Sequence, residues 1–247
     1  MIHNTAIFAH RGSAGTHPEN TMVSFEAGLK AGAEGIKFDV QLTKDDIPVV
    51  IHDETVNRTT NAHGWVKDFT YEELKSFDAG SWFAPSFQGV IIPSLEELFS
   101  WAVHTQLKLN VKLKSGVIHY PGMEKIVIDL ITKYQLKDSV IISSFNHYSL
   151  VECHRLDPEM ETAILFMEGL YEPWNYAHSI GASGLHCFLP VAGSDLLAGA
   201  HQANMAVRPF TVNEDDHIQA LIKRHCAAII TDWPEKAVHI RKAMQKG

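Results

Sequence analysis

The sequence predicts an α/β protein, a closed (β/α)8 barrel of the TIM type. Eight short apolar runs alternate with helix-length amphipathic segments from one end to the other. A further apolar run, 49–52, follows the second strand after too few residues for a parallel crossover, so it reads as the return arm of a hairpin. A doubly wound open sheet is the competing architecture, but no Gly-rich phosphate turn follows the first strand.

The first strand is Ala6–His10, followed by a helix over 21–31 and a second strand over 35–40. Asp45 and Asp46 both tolerate turn geometry, so the hairpin turns there. With Lys44 facing Ile47, residue 42 pairs with 49, 40 with 51 and 39 with 52, which sets His52 beside Asp39. The stretch 54–93 has little regular period and carries Trp65, Phe69, Phe77, Trp82, Phe83 and Phe87. It reads as a small insertion after the second barrel strand that covers part of the mouth, and its aromatics equally suit a satellite core under a long loop. Beyond it come a helix over 95–103, a strand Lys108–Leu113 and a helix over 123–134. Strands Val140–Ser144, Thr162–Phe166, Gly184–Cys187, 206–212 and 227–231 complete the eight, with helices over 215–226 and 235–244. The 247 residues suffice for one large domain, 1–247, with a full core.

Charge and cysteine usage exclude several function classes. A net charge of -8 speaks against a duplex-binding surface, so no nucleic-acid partner is expected. Cys153, Cys187 and Cys226 are widely spaced and form neither a disulfide framework nor a zinc pattern, which suits a reducing compartment. No basic segment followed by an apolar stretch opens the chain, and no apolar run approaches the roughly 20 residues of a membrane helix. A cytoplasmic protein without stable membrane insertion is the expectation. Ser144 follows a strand but lacks a nucleophile-elbow context, so serine hydrolysis is not indicated.

In such a barrel the reactive groups project from the C-terminal ends of the strands. His10 and Arg11 fall there on the first strand, Lys37 and Asp39 on the second, Lys112 and Lys114 on the third. Residues two apart share a face, so Lys37 points with Asp39, and Asn110 with Lys112 and Lys114. A lone buried charge costs several kcal/mol unless paired, so charges gathered on matching faces are hard to explain as packing. A purely structural barrel would leave His10, Arg11, His52 and Lys114 unexplained. His186 and Phe210 suit a substrate groove or simple barrel packing. His17, His63, His104, His147 and His154 lack partners at motif spacing and read as surface or structural.

His10-Arg11-Gly12, Pro18-Glu19-Asn20-Thr21, Gly35-Ile36-Lys37-Phe38-Asp39-Val40 and Val49-Val50-Ile51-His52-Asp53 together resemble the glycerophosphodiester phosphodiesterase family. Ser143-Ser144-Phe145, Gly184-Leu185-His186, Phe210-Thr211-Val212-Asn213 and Ile230-Thr231-Asp232-Trp233-Pro234 extend the resemblance over nearly the whole chain. It implies a phosphoric diester hydrolase of lipid and glycerol metabolism that releases an alcohol and glycerol 3-phosphate from a small glycerophosphodiester. By the same resemblance His10 and His52 act as general acid and base, and Arg11 and Lys114 hold phosphoryl oxygens. Glu19 orients its neighbours. The family carries a divalent magnesium or calcium ion on three carboxylates, of which Asp39 matches one. Lys37 and Lys112 stand at the two glutamate positions.

These two lysines change the expected physics. Three carboxylates with one divalent ion sum to about -1, whereas one carboxylate with two ammonium groups sums to about +1. A protonated lysine has no acceptor, so weak or absent metal binding is expected at this position. Three readings stay open: a working phosphodiesterase with ammonium groups in the ion's electrostatic role, a weakened relative that binds phosphoesters, or a metal enzyme whose ligands were exchanged to inactivate it.

Overall fold

A computed structural model describes residues 5–246. Eight parallel strands form the barrel: β1 (Ala6–His10), β2 (Gly35–Leu42), β4 (Lys108–Leu113), β5 (Val140–Ser144), β6 (Thr162–Phe166), β7 (Gly184–Cys187), β8 (Ala206–Val207) and β9 (Ala228–Thr231), while β3 (Pro48–Val50) pairs antiparallel with β2. Their order is β8-β7-β6-β5-β4-β2-β1-β9. The remaining seam is bridged by backbone bonds from Ala227 N to Val207 O at 3.1 Å and from Ile230 N to Pro209 O at 3.0 Å. β8 is shorter than its apolar run because Pro209 has no N–H for the ladder, although its carbonyl still accepts.

Strand alternation divides the core. Phe8, Ile141, Ala163, Ala228 and Ile230 cluster inside the barrel. Gly35 leaves room for them, since a Cβ there would lie 2.6 Å from the Phe8 ring. Ile7, Ala9, Ile36, Phe38, Val40, Leu109 and Val111 belong to the main core with helix residues such as Phe25, Phe99 and Ile131. Register then aligns the polar strand ends: His10 lies opposite Lys37, Lys37 opposite Asn110, and Asp39 opposite Lys112.

The helices are α1 (Met22–Lys30), α2 (Tyr71–Lys75), α3 (Leu95–Ala102), α4 (Met123–Lys133), α5 (His147–Leu156), α6 (Pro173–Ser179), α7 (Ser194–Gln202), α8 (Asp215–Lys223) and α9 (Pro234–Lys246). Thr21 caps α1 by accepting from Ser24 N, and Ser94 with Glu97 forms a capping box on α3. No helix among the described residues is long and apolar enough to cross a membrane.

The hairpin register differs from expectation by one residue. Val40 pairs with Val50, Gln41 with Val49 and Leu42 with Pro48. The cause is a three-residue loop. Thr43 N donates to Ile47 O at 3.1 Å, Ile47 N donates to Thr43 Oγ1 at 2.9 Å, and Asp46 takes a left-handed φ of 58°. Asp39 therefore faces Ile51, whose N–H donates to the Asp39 carbonyl, and His52 lies just past the ladder. The following segment builds a satellite core of Val49, Ile51, Val56, Val66, Leu74, Ala79 and Ile92, with Phe69 and Phe77 packed against it. Trp65 and Trp82 remain exposed.

Candidate active site

The first strand ends in a turn that needs its glycine. Arg11 has a φ of 54° and Gly12 one of 82°, and a Cβ on residue 12 would fall 2.2 Å from Ser24 Oγ. Arg11 N donates to Lys37 O at 2.6 Å, which fixes this turn to β2. His10 and Arg11 are thereby held over the ends of β2 and β4.

Asp39 is fully buried at the centre of a cationic cluster. Lys37 Nζ donates to its Oδ1 at 2.7 Å, and Lys112 Nζ lies 3.2 Å from the same oxygen. Asn20 Nδ2 donates to Oδ2 at 3.3 Å, and Arg11 Nε stands 3.6 Å from it. Burial alone would raise the Asp39 pKa, but Lys37, Lys112 and Arg11 outweigh it and hold the carboxyl well below its usual range. Lys37 is pulled well below the usual lysine value by burial and by Lys112 and Arg11, against the attraction of Asp39. Lys112 is lowered for similar reasons, with Lys114 among its repelling neighbours, and its Nζ lies 5.2 Å from the Phe145 ring centroid.

Each histidine is paired with a carboxylate. His10 Nδ1 lies 2.7 Å from Asp232 Oδ1, and Asn213 Nδ2 donates to Asp232 Oδ2 at 2.7 Å. His52 Nδ1 lies 2.8 Å from Asp53 Oδ1. A carboxylate on Nδ1 orients the ring and leaves Nε2 available for proton transfer. Burial lowers the His10 pKa to about 4, opposed by the Asp232 hydrogen bond and reinforced by Lys37 and Arg11. Burial also lowers His52 to about 4, opposed chiefly by Asp39 and reinforced by Arg11 and Lys37.

Both folded values lie below the unfolded value of 6.5, so the unfolded chain binds more protons between these limits. The stability contributed by neutral, buried His10 and His52 is complete above pH 6.5 and is lost as pH falls toward 4. Thermal denaturation across pH 4 to 7 should show this slope, and His10→Gln with His52→Gln should flatten it. An unchanged slope in the double variant would contradict the assignment.

Arg58, which lies outside the sequence motifs, ties two halves of the site together. Its Nη1 and Nη2 donate to Glu19 at 2.9 and 2.8 Å, and its Nε donates to Asp53 Oδ2 at 2.7 Å. Glu19 in turn accepts from Arg11 Nη1 at 2.7 Å. The Arg58 hydrogen bond is the main reason Asp53 is lowered to about 2. One guanidinium thus braces the carboxylates that orient His52 and Arg11. Arg58→Ala should lower kcat more than it raises KM and move the pH profile, while Arg58→Lys should recover part of the loss. Equal pH profiles for all three proteins would leave Arg58 a structural residue only.

The remaining expected residues separate. Lys114 Nζ pairs with Glu54 Oε1 at 3.1 Å. His10, Arg11, Lys37, Asn110, Lys112, Leu165 and Phe210 line a cavity of about 90 Å3 at the mouth. His52 lines a smaller neighbouring recess with Glu19 and Asn20. His186 is fully enclosed: Arg208 Nη1 donates to its Nε2 at 3.3 Å, Asn110 Nδ2 lies 3.3 Å from its Nδ1, and it does not line the cavity.

These residues do not fit a magnesium or calcium ion. Asp39 is the carboxylate at the centre of the cluster, and both its oxygens face ammonium, amide or guanidinium donors. No group of three or more His, Cys, Asp or Glu side chains among the described residues is arranged to hold a metal.

Residues 10–236 match the model of the glycerophosphoryl diester phosphodiesterase family. The chain is 44% identical over 240 residues to the uncharacterized protein YqiK of Bacillus subtilis, covering 96% of this chain and 99% of that protein. It is 43% identical over 244 residues to a glycerophosphodiester phosphodiesterase of Bacillus altitudinis, covering 98% and 100%. An Oleispira antarctica phosphodiesterase, solved in complex with the product sn-glycerol-3-phosphate, superposes with a TM-score of 0.86 at 29% identity, covering 97% of each chain. On the matched span, the full-length likeness and the shared barrel, this chain belongs to the glycerophosphoryl diester phosphodiesterase family.

Proposed function

We propose that the protein hydrolyses glycerophosphodiesters to an alcohol and glycerol 3-phosphate, with His10 and His52 exchanging the protons. The observation that carries this reading is the pair of carboxylate-oriented histidines, His10 on Asp232 and His52 on Asp53, flanking one cationic cluster. One imidazole Nε2 takes the proton of the attacking water as its oxygen bonds to phosphorus. The other protonates the alcohol oxygen as the second P–O bond breaks. Arg11, on the cavity wall, brings a guanidinium to the phosphoryl oxygens. Lys112, on the cavity wall, and Lys114 add positive charge where negative charge develops.

The ammonium groups of Lys37 and Lys112 take the electrostatic place of the family's divalent ion, and no step passes through a metal. They also bind Asp39 tightly in the ground state, which favours slower turnover than in a three-carboxylate relative. The test is release of glycerol 3-phosphate from glycerophosphocholine with and without a chelator. Slow turnover indifferent to the chelator is expected. No turnover at any pH would leave a phosphoester-binding relative, and turnover abolished by the chelator and restored by magnesium would overturn the role given to the lysines.

A bound anionic phosphoryl group favours the protonated form of a neighbouring histidine. The basic limb of kcat should therefore lie at higher pH than that of kcat/KM, which reports the free enzyme. Coincident limbs in a pH–rate profile would contradict this placement of the histidines.

A further inference from the structure

Inside the barrel a column of polar groups takes no part in the proton transfers. Glu161, just before β6, accepts from Arg208 Nη2 through Oε1 at 2.6 Å. Arg208 Nη1 donates to His186 Nε2 at 3.3 Å. His186 Nδ1 faces the Asn110 amide at 3.3 Å, and the other end of that amide meets Ser143 Oγ at 2.7 Å. Room for the column is built in, since a Cβ on Gly184 would lie 2.9 Å from Arg208 Nη1. His186, Asn110 and Ser143 are fully buried, and Asn110 lines the cavity with His10, Lys37 and Lys112. Asn110 lies opposite Lys37 and shares a strand face with Lys112.

The donor count fixes how these groups stand. An arginine only donates, so His186 Nε2 accepts and carries no proton. Burial and the Arg208 charge hold His186 well below the usual histidine value, so the neutral ring keeps its one proton on Nδ1. Nδ1 is then a donor, and the amide atom that faces it has to accept. The two orientations of an asparagine amide fill the same space, so this count decides between them. We propose that Asn110 turns Oδ1 to His186 and Nδ2 to Ser143 Oγ, and that the second Nδ2 hydrogen donates to a phosphoryl oxygen held in the cavity. The proposal rests on the phosphodiesterase reading and adds to it a substrate-binding residue, Asn110, and a positioning residue, His186. Ser143 is the register partner of Lys112, so a nitrogen at that end of the amide is on the Lys112 side. A phosphoryl oxygen only accepts, so the opposite orientation would set one acceptor against another.

Two measurements test it. Imidazole nitrogen–proton correlation spectra of isotope-labelled protein, with the His186 signals identified by their loss in His186→Gln, should show the proton on Nδ1. A proton on Nε2 overturns the proposal. Calorimetry with inorganic phosphate reads the donor. Asn110→Ala should weaken phosphate binding about ten- to hundredfold, the range for a hydrogen bond to a charged group. His186→Leu should weaken it less, because the amide is then free to turn. His186→Gln, which keeps a donor and an acceptor, should recover part of that loss. In the Asn110→Ala background His186→Leu should cost nothing further, a coupling that a merely structural histidine would not give. Unchanged phosphate affinity in Asn110→Ala, or additive losses in the double variant, overturns the proposal. So does a loss seen with glycerol 3-phosphate and not with phosphate, which would put the amide on the glycerol unit. Melting temperatures identify a variant that fails to fold, and Asn110→Asp, of equal shape but without the donor, then replaces Asn110→Ala. Phosphate binding that depends on Asn110 without turnover of any diester keeps this proposal and defeats the phosphodiesterase reading. Turnover with unchanged phosphate affinity in Asn110→Ala does the reverse, and a wild type that binds neither phosphate nor glycerol 3-phosphate defeats both.

Discussion

His10→Gln and His52→Gln should each lower kcat on glycerophosphocholine by about 10^2 to 10^4-fold, the range for losing a positioned acid or base. Glutamine keeps a polar side chain of similar reach but cannot transfer a proton. The double variant should be scarcely slower than the worse single, because the two residues act on one transition state. Melting temperatures at pH 7, where both wild-type imidazoles are neutral, separate a folding defect from a catalytic one. A stable His52→Gln protein with more than half of wild-type kcat would remove His52 from the chemistry. It would leave His10, the histidine on the cavity wall, to act alone.

The architecture was legible because each barrel strand is a short apolar run bounded by turn residues, and eight such runs in series admit few folds. What failed were details set by side chains that a periodicity cannot see. The hairpin slipped by one residue because Thr43 Oγ1 closes a three-residue loop, and a pair of aspartates signals a turn without fixing its length. The strand beginning at Ala206 stopped early at Pro209, a breaker visible in the sequence but outweighed by the apolar run around it. Lys37, Asp39 and Lys112 could be placed together from alternation alone, since strand parity and parallel register leave little freedom. Arg58 could not. Its partners Glu19 and Asp53 come from separate segments that meet only in the folded chain. A signal did exist: each of those acids adjoins or lies close to a motif residue and needed a cation, and Arg58 is the arginine of the segment that follows.

Replacing both lysines, Lys37→Glu with Lys112→Glu, should convert the ammonium cluster into a divalent cation site. The charge of the three positions passes from about +1 to about -3, and Asp39 loses the donor at 2.7 Å and the neighbour at 3.2 Å that now hold Oδ1. Three carboxylates at buried strand ends repel one another, so without ion the double variant should melt well below the parent. Added magnesium or calcium should recover much of that loss, by about 2.7 kcal/mol at a hundredfold excess over Kd. Calorimetry should show one ion per chain, and turnover of glycerophosphocholine should rise and become chelator-sensitive. Either single replacement should bind far more weakly, because the remaining lysine neutralises a carboxylate and repels the ion; the gain is therefore strongly non-additive. A double variant that is slower than the parent and indifferent to metal would mean that Lys37 and Lys112 serve the transition state better than a restored ion site. The cluster would then be a catalytic device in its own right, with Arg11 and Lys112 presented to the phosphoryl group by the buried charge of Asp39.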